Sequence, residues 1–387
     1  MSRFAFPRFL NVGPGTLDTA AEALDALGLT RPLIVTDAFM VSTGTVTRLC
    51  RALEQCGHEV AVFSDTVPDP TTTSLQAGLR AVDDHGADSV IGLGGGSPID
   101  TAKALAVLAV NAERSMNEFK APSSFSGPAL PVVAIPTTAG SGSEATQFTV
   151  ITDDSTDEKM LCPGLSFLPA AAILDFELTM SMPPRLTADT AVDALTHAIE
   201  AYVSMRANPI SDSLALSAIS TISTFIRRAY ADGDDREARE GLMMAATQAG
   251  IAFSNSSVCL VHGMSRPIGA HFHVAHGLSN AMLLPAVTRF SVLGNVSRYA
   301  DCARAYGVAT HDTDDATAAA QLVLEIDQLC ADVEVPTPQA YGIDARTWRD
   351  LTPTMAEQAL ASGSPGNNPV VPSKAQIEEI YAAVYAG

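Results

Sequence analysis

Basic residues are in short supply: the 387 residues hold 23 lysines and arginines against 43 aspartates and glutamates, a net charge of −20. A chain so acidic lacks the positive footprint that a polyphosphate backbone or an anionic lipid surface attracts, which excludes nucleic acid and membranes as expected partners. Cysteines are few and scattered, at 50, 56, 162, 259, 302 and 330, with no CxxC pair and no cluster. Neither a zinc ribbon nor a disulfide framework is indicated, and free thiols suit a reducing compartment. No stretch approaches the roughly 20 apolar residues of a membrane-spanning helix, and the opening Met1–Gly13 segment lacks the apolar core of a secretory signal. A cytoplasmic protein is the expectation. Internal repeats are missing too.

What is present suffices for large cores: 47% hydrophobic side chains with 17% charged. At roughly 100–200 residues per domain, two domains are expected. Up to about residue 180, β-branched runs alternate with Ala/Leu-rich helical patterns. The runs are Pro32–Thr36, Val60–Phe63, Val90–Leu93 and Val132–Ile135. That alternation predicts a parallel sheet covered on both faces. Beyond Met180–Arg185 the pattern turns helical, with long amphipathic stretches at Asp212–Tyr230, Ala238–Phe253 and Ala316–Val333. The expected division is an α/β domain over 1–181 and an all-α domain over 182–387. Ser362–Pro369 reads as a loop before a last helix.

The first segment with chemistry in it is Gly92-Leu-Gly-Gly-Gly-Ser-Pro-Ile-Asp100. Gly94, Gly95 and Gly96 follow a strand-like run and let a ligand approach the backbone closely. Ser97 reads as a helix N-cap, Pro98 as the first helical residue and Asp100 as the reciprocal capping carboxylate. The free N–H groups and the dipole of such a helix favour a phosphate. The full GxGxxG pattern fails at its last position, so a tight strand-to-helix turn without a ligand is the competing reading. A second loop, Pro136–Thr146, also follows a strand and carries Thr137, Thr138, Ser141 and Ser143. Two such loops on one sheet suggest a shared nucleotide crevice.

In Leu186–Tyr202, read as a helix capped near Thr187, Asp193, His197 and Glu200 recur one turn apart beside the apolar stripe Val192, Leu195, Ile199 and Val203. A lone Asp193/His197 pair is equally a helix-surface hydrogen bond. However, Leu260–Gly277 holds four of the eight histidines, at 262, 271, 273 and 276. His262 is expected to end a helix before Gly263, and His276 to stand in a loop or helix start before Gly277. Three neutral imidazoles and one carboxylate suit Fe(II), Zn(II) or a neighbouring ion; buried structural histidines are the alternative.

With these motifs assembled, the chain resembles the iron-containing (group III) alcohol dehydrogenases nearly end to end. The carrying segments include Gly94–Asp100, Pro136–Glu144, Asp193-Ala-Leu-Thr-His-Ala-Ile-Glu200, Val261-His-Gly-Met264, His276-Gly277 and Asn368-Pro369. The resemblance implies a dehydroquinate-synthase-like architecture: a dinucleotide-binding α/β domain, a helical domain, and one divalent metal in the cleft between them. It gives the ligand roles to Asp193, His197, His262 and His276. It places Gly94, Gly95, Gly96 and Ser97 on the pyrophosphate, and Thr137, Thr138 and Lys159 on the nicotinamide side. Asp37, closing the strand before it, would face the adenosine ribose, where a carboxylate favours NAD(H) over NADP(H).

The expected reaction is reversible hydride transfer between NAD(H) and a small alcohol or aldehyde, with Fe(II) or else Zn(II) as Lewis acid, in a homodimer or larger homo-oligomer. A lyase of the dehydroquinate-synthase type is the alternative. For the proton, His271 or His273 is the candidate relay, and on one extended stretch they face opposite sides, which favours His273. One departure bears on substrate: relatives commonly carry Gly-Met-Ala-His after the first histidine of that stretch, where this chain has Gly263-Met-Ser-Arg266. Ser256–Cys259 likewise brings polar or larger side chains where small ones are common. Directed at the metal, Arg266 would favour a carboxylate, sulfonate or phosphonate on the substrate. Directed away, it would pair with an acidic neighbour.

Overall fold

The structure, a computed structural model, describes residues 3–156 and 158–386. The chain separates into two compact units, Phe4–Ser181 and the residues from Met182 onward. The first unit carries β1 (Phe9–Val12), α1 (Ala20–Leu27), β2 (Pro32–Val35), α2 (Ala38–Ser42), α3 (Thr45–Gln55), β3 (Ala61–Phe63), α4 (Leu75–His85), β4 (Ser89–Gly94), α5 (Gly96–Leu108), β5 (Val132–Pro136), β6 (Phe148–Asp153), β7 (Glu158–Pro163) and β8 (Ala171–Leu174). Six strands form one sheet in the order β1-β8-β5-β4-β2-β3, every pair parallel. β6 and β7 form a separate antiparallel pair.

Side chains that alternate along the central strands serve two cores. Leu33, Val35, Val90 and Val132 pack with Leu75, Val82 and Leu105 of α4 and α5. Ile34, Ile91, Leu93, Val133 and Ile135 pack with Leu24, Leu49 and Leu53 of α1 and α3. Burial on both faces explains why these strands read as unbroken apolar runs. Truncating one of them, for example Ile91→Ala, is expected to cost about 2–5 kcal/mol.

The topology locates a crevice. From β2 the chain runs out to the edge strand β3 over the face of α3, then returns through α4 on the opposite face to β4, which neighbours β2. After β4 it moves the other way, to β5. The connections leaving β2 and β4 therefore diverge, and the carboxyl ends of those strands carry Asp37 and Gly94–Ser97. Open α/β sheets take ligands at such a reversal.

The second unit is helical throughout its regular structure among the described residues: α6 (Pro184–Val203), α7 (Pro209–Ala231), α8 (Arg236–Asn255), α9 (Leu260–Phe272), α10 (His276–Ser291), α11 (Val296–Tyr306), α12 (Asp315–Asp332), α13 (Pro338–Tyr341), α14 (Ala345–Ala361) and α15 (Lys374–Ala386). α6 is buried along almost its whole length, packed by α7, α8 and α10. It begins at Pro184, a residue preformed for a first helical position, rather than near Thr187. Thr187 lies in the first turn instead, its Oγ1 accepting from Arg239 Nη1 at 2.7 Å. No helix is long and apolar enough to cross a membrane among the described residues.

Candidate active site

The loop after β4 is built from backbone. Gly94 has φ +146°, and a Cβ there would lie 2.6 Å from Pro98 Cγ, so only glycine fits. α5 starts at Gly96 with Gly95 as an extended N-cap that offers no side chain. The expected capping box is absent, for two reasons. Ser97 lies inside the first turn, its Oγ accepting from Asp69 N–H at 3.3 Å. Asp100 is drawn sideways, accepting from Ser143 Oγ at 2.7 Å and Val150 N–H at 3.0 Å. Burial raises the Asp100 pKa against the opposing pull of Lys103 and these hydrogen bonds.

Lys103, fully buried, donates to Thr146 O, Thr146 Oγ1 and Phe148 O at 3.0, 3.1 and 2.7 Å. Burial pulls its amine down to about 8, opposed by Asp100 and Glu144. Asp100 and Lys103 thus tie α5 to the segment from Ser143 to Val150, and the amino end of the helix keeps no side-chain cap. A Cβ at Gly95 or Gly96 would meet Thr138 and Ser141 only at 3.5 Å, an ordinary contact. The bareness of these two glycines leaves room over the first-turn N–H groups, a fit for a pyrophosphate.

The other expected cofactor residues lie around this loop. Thr137 N–H donates to Gly94 O at 2.9 Å, docking the second loop on the first. Asp37 caps α2, its Oδ1 accepting from Met40 N–H at 2.9 Å and its Oδ2 left over. Lys159 on β7 pairs with Asp69 at 2.9 Å, the residue that also bonds Ser97.

The helical unit assembles side chains. One ligand-type atom from each of Asp193, His197, His262 and His276 lies within 4.8 Å of all the others. From Asp193 Oδ1 the Nε2 atoms stand at 3.6 Å (His262), 3.9 Å (His197) and 3.9 Å (His276). α6 supplies two of the four at a one-turn spacing, α9 and α10 one each. His262 stands in the first turn of α9 rather than at a helix end. The rings of Phe253, His197 and His262 stack at 4.2 and 4.4 Å. Asp193, His197 and His262 are buried, whereas the His276 side chain is 44% exposed and marks the open side. At Gly277 a Cβ would sit 2.7 Å from Asp189 O, so glycine is what lets α10 approach α6 beside Asp193.

Two further residues complete the centre. Glu200 Oε2 accepts from Cys259 N–H at 2.8 Å and from His262 Nδ1 at 2.6 Å, while Oε1 accepts from Val261 N–H at 2.6 Å. It therefore holds the start of α9 and assigns the proton to Nδ1, leaving the His262 Nε2 lone pair for the centre. Asn280, one turn after His276, places Nδ2 at 2.6 Å from Asp193 Oδ1, 3.1 Å from His262 Nε2 and 3.2 Å from His276 Nε2. Its Oδ1 is buried without a partner. Three acceptor atoms from three helices thus converge on one positively polarised group, the demand that a divalent cation meets.

Electrostatics agree. Burial alone would raise Asp193, but His197, His276 and His262 more than reverse this and hold its carboxyl well below the usual range. Burial lowers His262, yet Glu200 and Asp193 raise it on balance. The pocket stabilises positive charge.

The two relay candidates do not share an extended stretch. His271 is in the last turn of α9 with Nε2 at 2.9 Å from Gln358 Oε1. His273 ends that helix as an exposed left-handed C-cap, φ 54°, ψ 30°. Arg266 has no carboxylate partner among the described residues, which removes the acidic-neighbour alternative: Nη1 donates to Ser364 Oγ at 3.0 Å. Burial draws its guanidinium down to about 10, so it remains cationic at neutral pH. Sequence reading missed Lys103, Asn280 and Ser364. Only Asn280 carried a usable signal, its four-residue spacing from His276.

Comparison with known proteins places this geometry. The profile of the iron-containing alcohol dehydrogenases matches residues 7–176, and that of the C-terminal part of the Fe-containing alcohol dehydrogenase family matches residues 187–385. The chain is 37% identical to a long-chain-alcohol dehydrogenase of Geobacillus thermodenitrificans, over 100% of this chain and 98% of that one. It is 36% identical to an NAD-dependent methanol dehydrogenase of Bacillus methanolicus, over 88% and 89%. A solved 1,3-propanediol oxidoreductase superposes with a TM-score of 0.95 at 33% identity, covering 100% of both chains. The chain belongs to the iron-containing alcohol dehydrogenase family and is a metal-dependent oxidoreductase of alcohols and aldehydes.

Proposed function

We propose that the protein catalyses reversible hydride transfer between NAD(H) and a short alcohol or aldehyde, with residues 1–181 as the cofactor-binding domain and 182–387 as the metal-binding, catalytic domain. The observation that carries this reading is the convergence of four ligand-type atoms from α6, α9 and α10 within 4.8 Å. When bound, Fe(II) or Zn(II) supplies Lewis acidity toward a carbonyl or alcohol oxygen, and nicotinamide accepts or donates the hydride. Asp193, His197, His262 and His276 hold the ion. Glu200 keeps His262 oriented and its Nδ1 protonated, and Phe253 covers the back of His197 against water.

In the other domain, Gly94 to Ser97 bind the pyrophosphate through first-turn N–H groups. Thr137, Thr138 and Lys159 orient the nicotinamide. Asp37 accepts from the adenosine ribose through the oxygen its cap leaves over, and a carboxylate there repels a 2′-phosphate. His273, exposed at the end of α9, exchanges the reaction's proton with water at its imidazole. The working form is a homodimer or larger homo-oligomer in the cytoplasm.

The test is direct. Protein loaded anaerobically with Fe(II) or Zn(II) should consume NADH absorbance when given a short aldehyde, and chelation should abolish it. A dinucleotide-recycling lyase would give no net change. No net oxidation of NADH with any short aldehyde refutes the reading.

A further inference from the structure

Arginines of the helical unit are mostly neutralised. Arg185, Arg227, Arg228, Arg289, Arg298 and Arg304 each meet at least one carboxylate. Buried Arg239 instead spends its donors on Gly233 O, Thr187 Oγ1 and Met182 O. Arg266 does neither. Of the five N–H donors of a guanidinium, one reaches Ser364 Oγ, at 3.0 Å, and no other partner is found among the described residues.

The carboxylate that acts on it electrostatically, Glu200, already receives Cys259 N–H, Val261 N–H and His262 Nδ1. A partly buried cation with most of its donors unused is costly unless something anionic arrives. Its place in the fold says where. Arg266 follows His262 by four residues on α9, so both point from the same face, separated by roughly 6 Å along the helix. The turn Ser364–Asn367, packed with Pro365 against Gly263, sets the Ser364 hydroxyl beside the guanidinium.

We infer that Arg266 and Ser364 form an anion subsite one helical turn from the metal centre, and that the substrate is a short aldehyde bearing a terminal sulfonate, carboxylate or phosphonate. This rests on the redox function proposed above and adds the substrate class. The planar fork of arginine takes two oxygens of such a group, and the Ser364 hydroxyl donates a further hydrogen bond. In the reductive direction hydride passes from NADH to the carbonyl carbon and a proton from water to its oxygen, giving NAD+ and an anionic primary alcohol. The anionic group takes no part in bond changes.

The experiment compares kcat/KM for an ω-sulfonato or ω-carboxylato aldehyde with that for a neutral aldehyde of equal length, using metal-loaded wild type, R266M and R266K. Wild type should prefer the anion, and R266M should collapse that preference on the order of 10- to 100-fold. R266K, a charge without the fork, should keep part of it. If Arg266 only pinned the Ser364 turn, R266M would lower both substrates together and leave the ratio unmoved. Calorimetry adds a readout independent of turnover: propanesulfonate should bind metal-loaded wild type and bind R266M more weakly, whereas propanol should not discriminate. Wild type without anion preference, or without sulfonate binding, overturns the inference even if neutral aldehydes are reduced. Failure to oxidise NADH with any aldehyde, while propanesulfonate still binds in an Arg266-dependent way, would instead reject the redox reading and leave the subsite standing.

Discussion

The two sites of this chain are made of different material. The loop between β4 and α5 presents peptide N–H groups and holds them with a local run of glycines and two tethers, half-buried Asp100 and buried Lys103. The centre on α6, α9 and α10 presents side-chain atoms brought together across more than eighty residues of sequence. A backbone site tolerates loss of side chains and suffers when a Cβ is added. A side-chain site behaves the other way round. Substitutions can test this contrast.

The largest effect is expected for Asp193→Asn or His262→Ala, which remove a ligand. Turnover should fall on the order of 10³-fold or more, metal content should drop, and NADH binding should persist by fluorescence titration. Ligand loss without metal loss would break the contrast. Next, Gly95→Val should weaken NADH binding on the order of 100-fold by filling the space over the first-turn N–H groups, with metal content unchanged by elemental analysis. Retained NADH affinity would show that those groups bind nothing.

Glu200→Gln should lower metal affinity about 10- to 100-fold by releasing the His262 orientation, measured by chelator competition. Acid should do the same in wild type. His262 is raised above an ordinary histidine, so protons compete for its Nε2 at higher pH than for a free imidazole. Metal affinity, measured by chelator competition, should therefore fall as the pH is lowered, and an affinity independent of pH would contradict His262 as a ligand. The smallest effect is expected for Asp37→Gly, which should shift the NADH to NADPH preference on the order of 10-fold toward the phosphate. An unshifted preference would take Asp37 out of cofactor choice.

How far the sequence foretold these features follows the same contrast. Central strands β2, β4 and β5 were legible because burial on both faces writes a continuous apolar run. β8 was not, since Ala171 and Ala172 look helical and only sheet neighbours make them strand. β6 and β7 were hidden because burial does not follow hydrophobicity along them: Thr149 and Asp153 are buried while Phe148, Val150 and Leu161 stand half-exposed, so no apolar alternation is written in the sequence. The capping box was misread because a Ser-Pro-Ile-Asp string fits a local rule, while the competing partners, Ser143 and Val150, are more than forty residues away. The quartet itself was visible as histidine enrichment beside an Asp/His helix spacing, but its closure by Glu200 and Asn280 depends on helix packing that no local pattern encodes.

The central claim is that three imidazoles and one carboxylate share a single ion. X-ray absorption on the zinc-loaded protein tests it most directly. The account predicts one zinc per chain with a shell of imidazole nitrogens and carboxylate oxygen at roughly 2.0–2.2 Å. A sulfur shell at roughly 2.3 Å, or a shell unchanged when His262 is replaced by alanine, would contradict it.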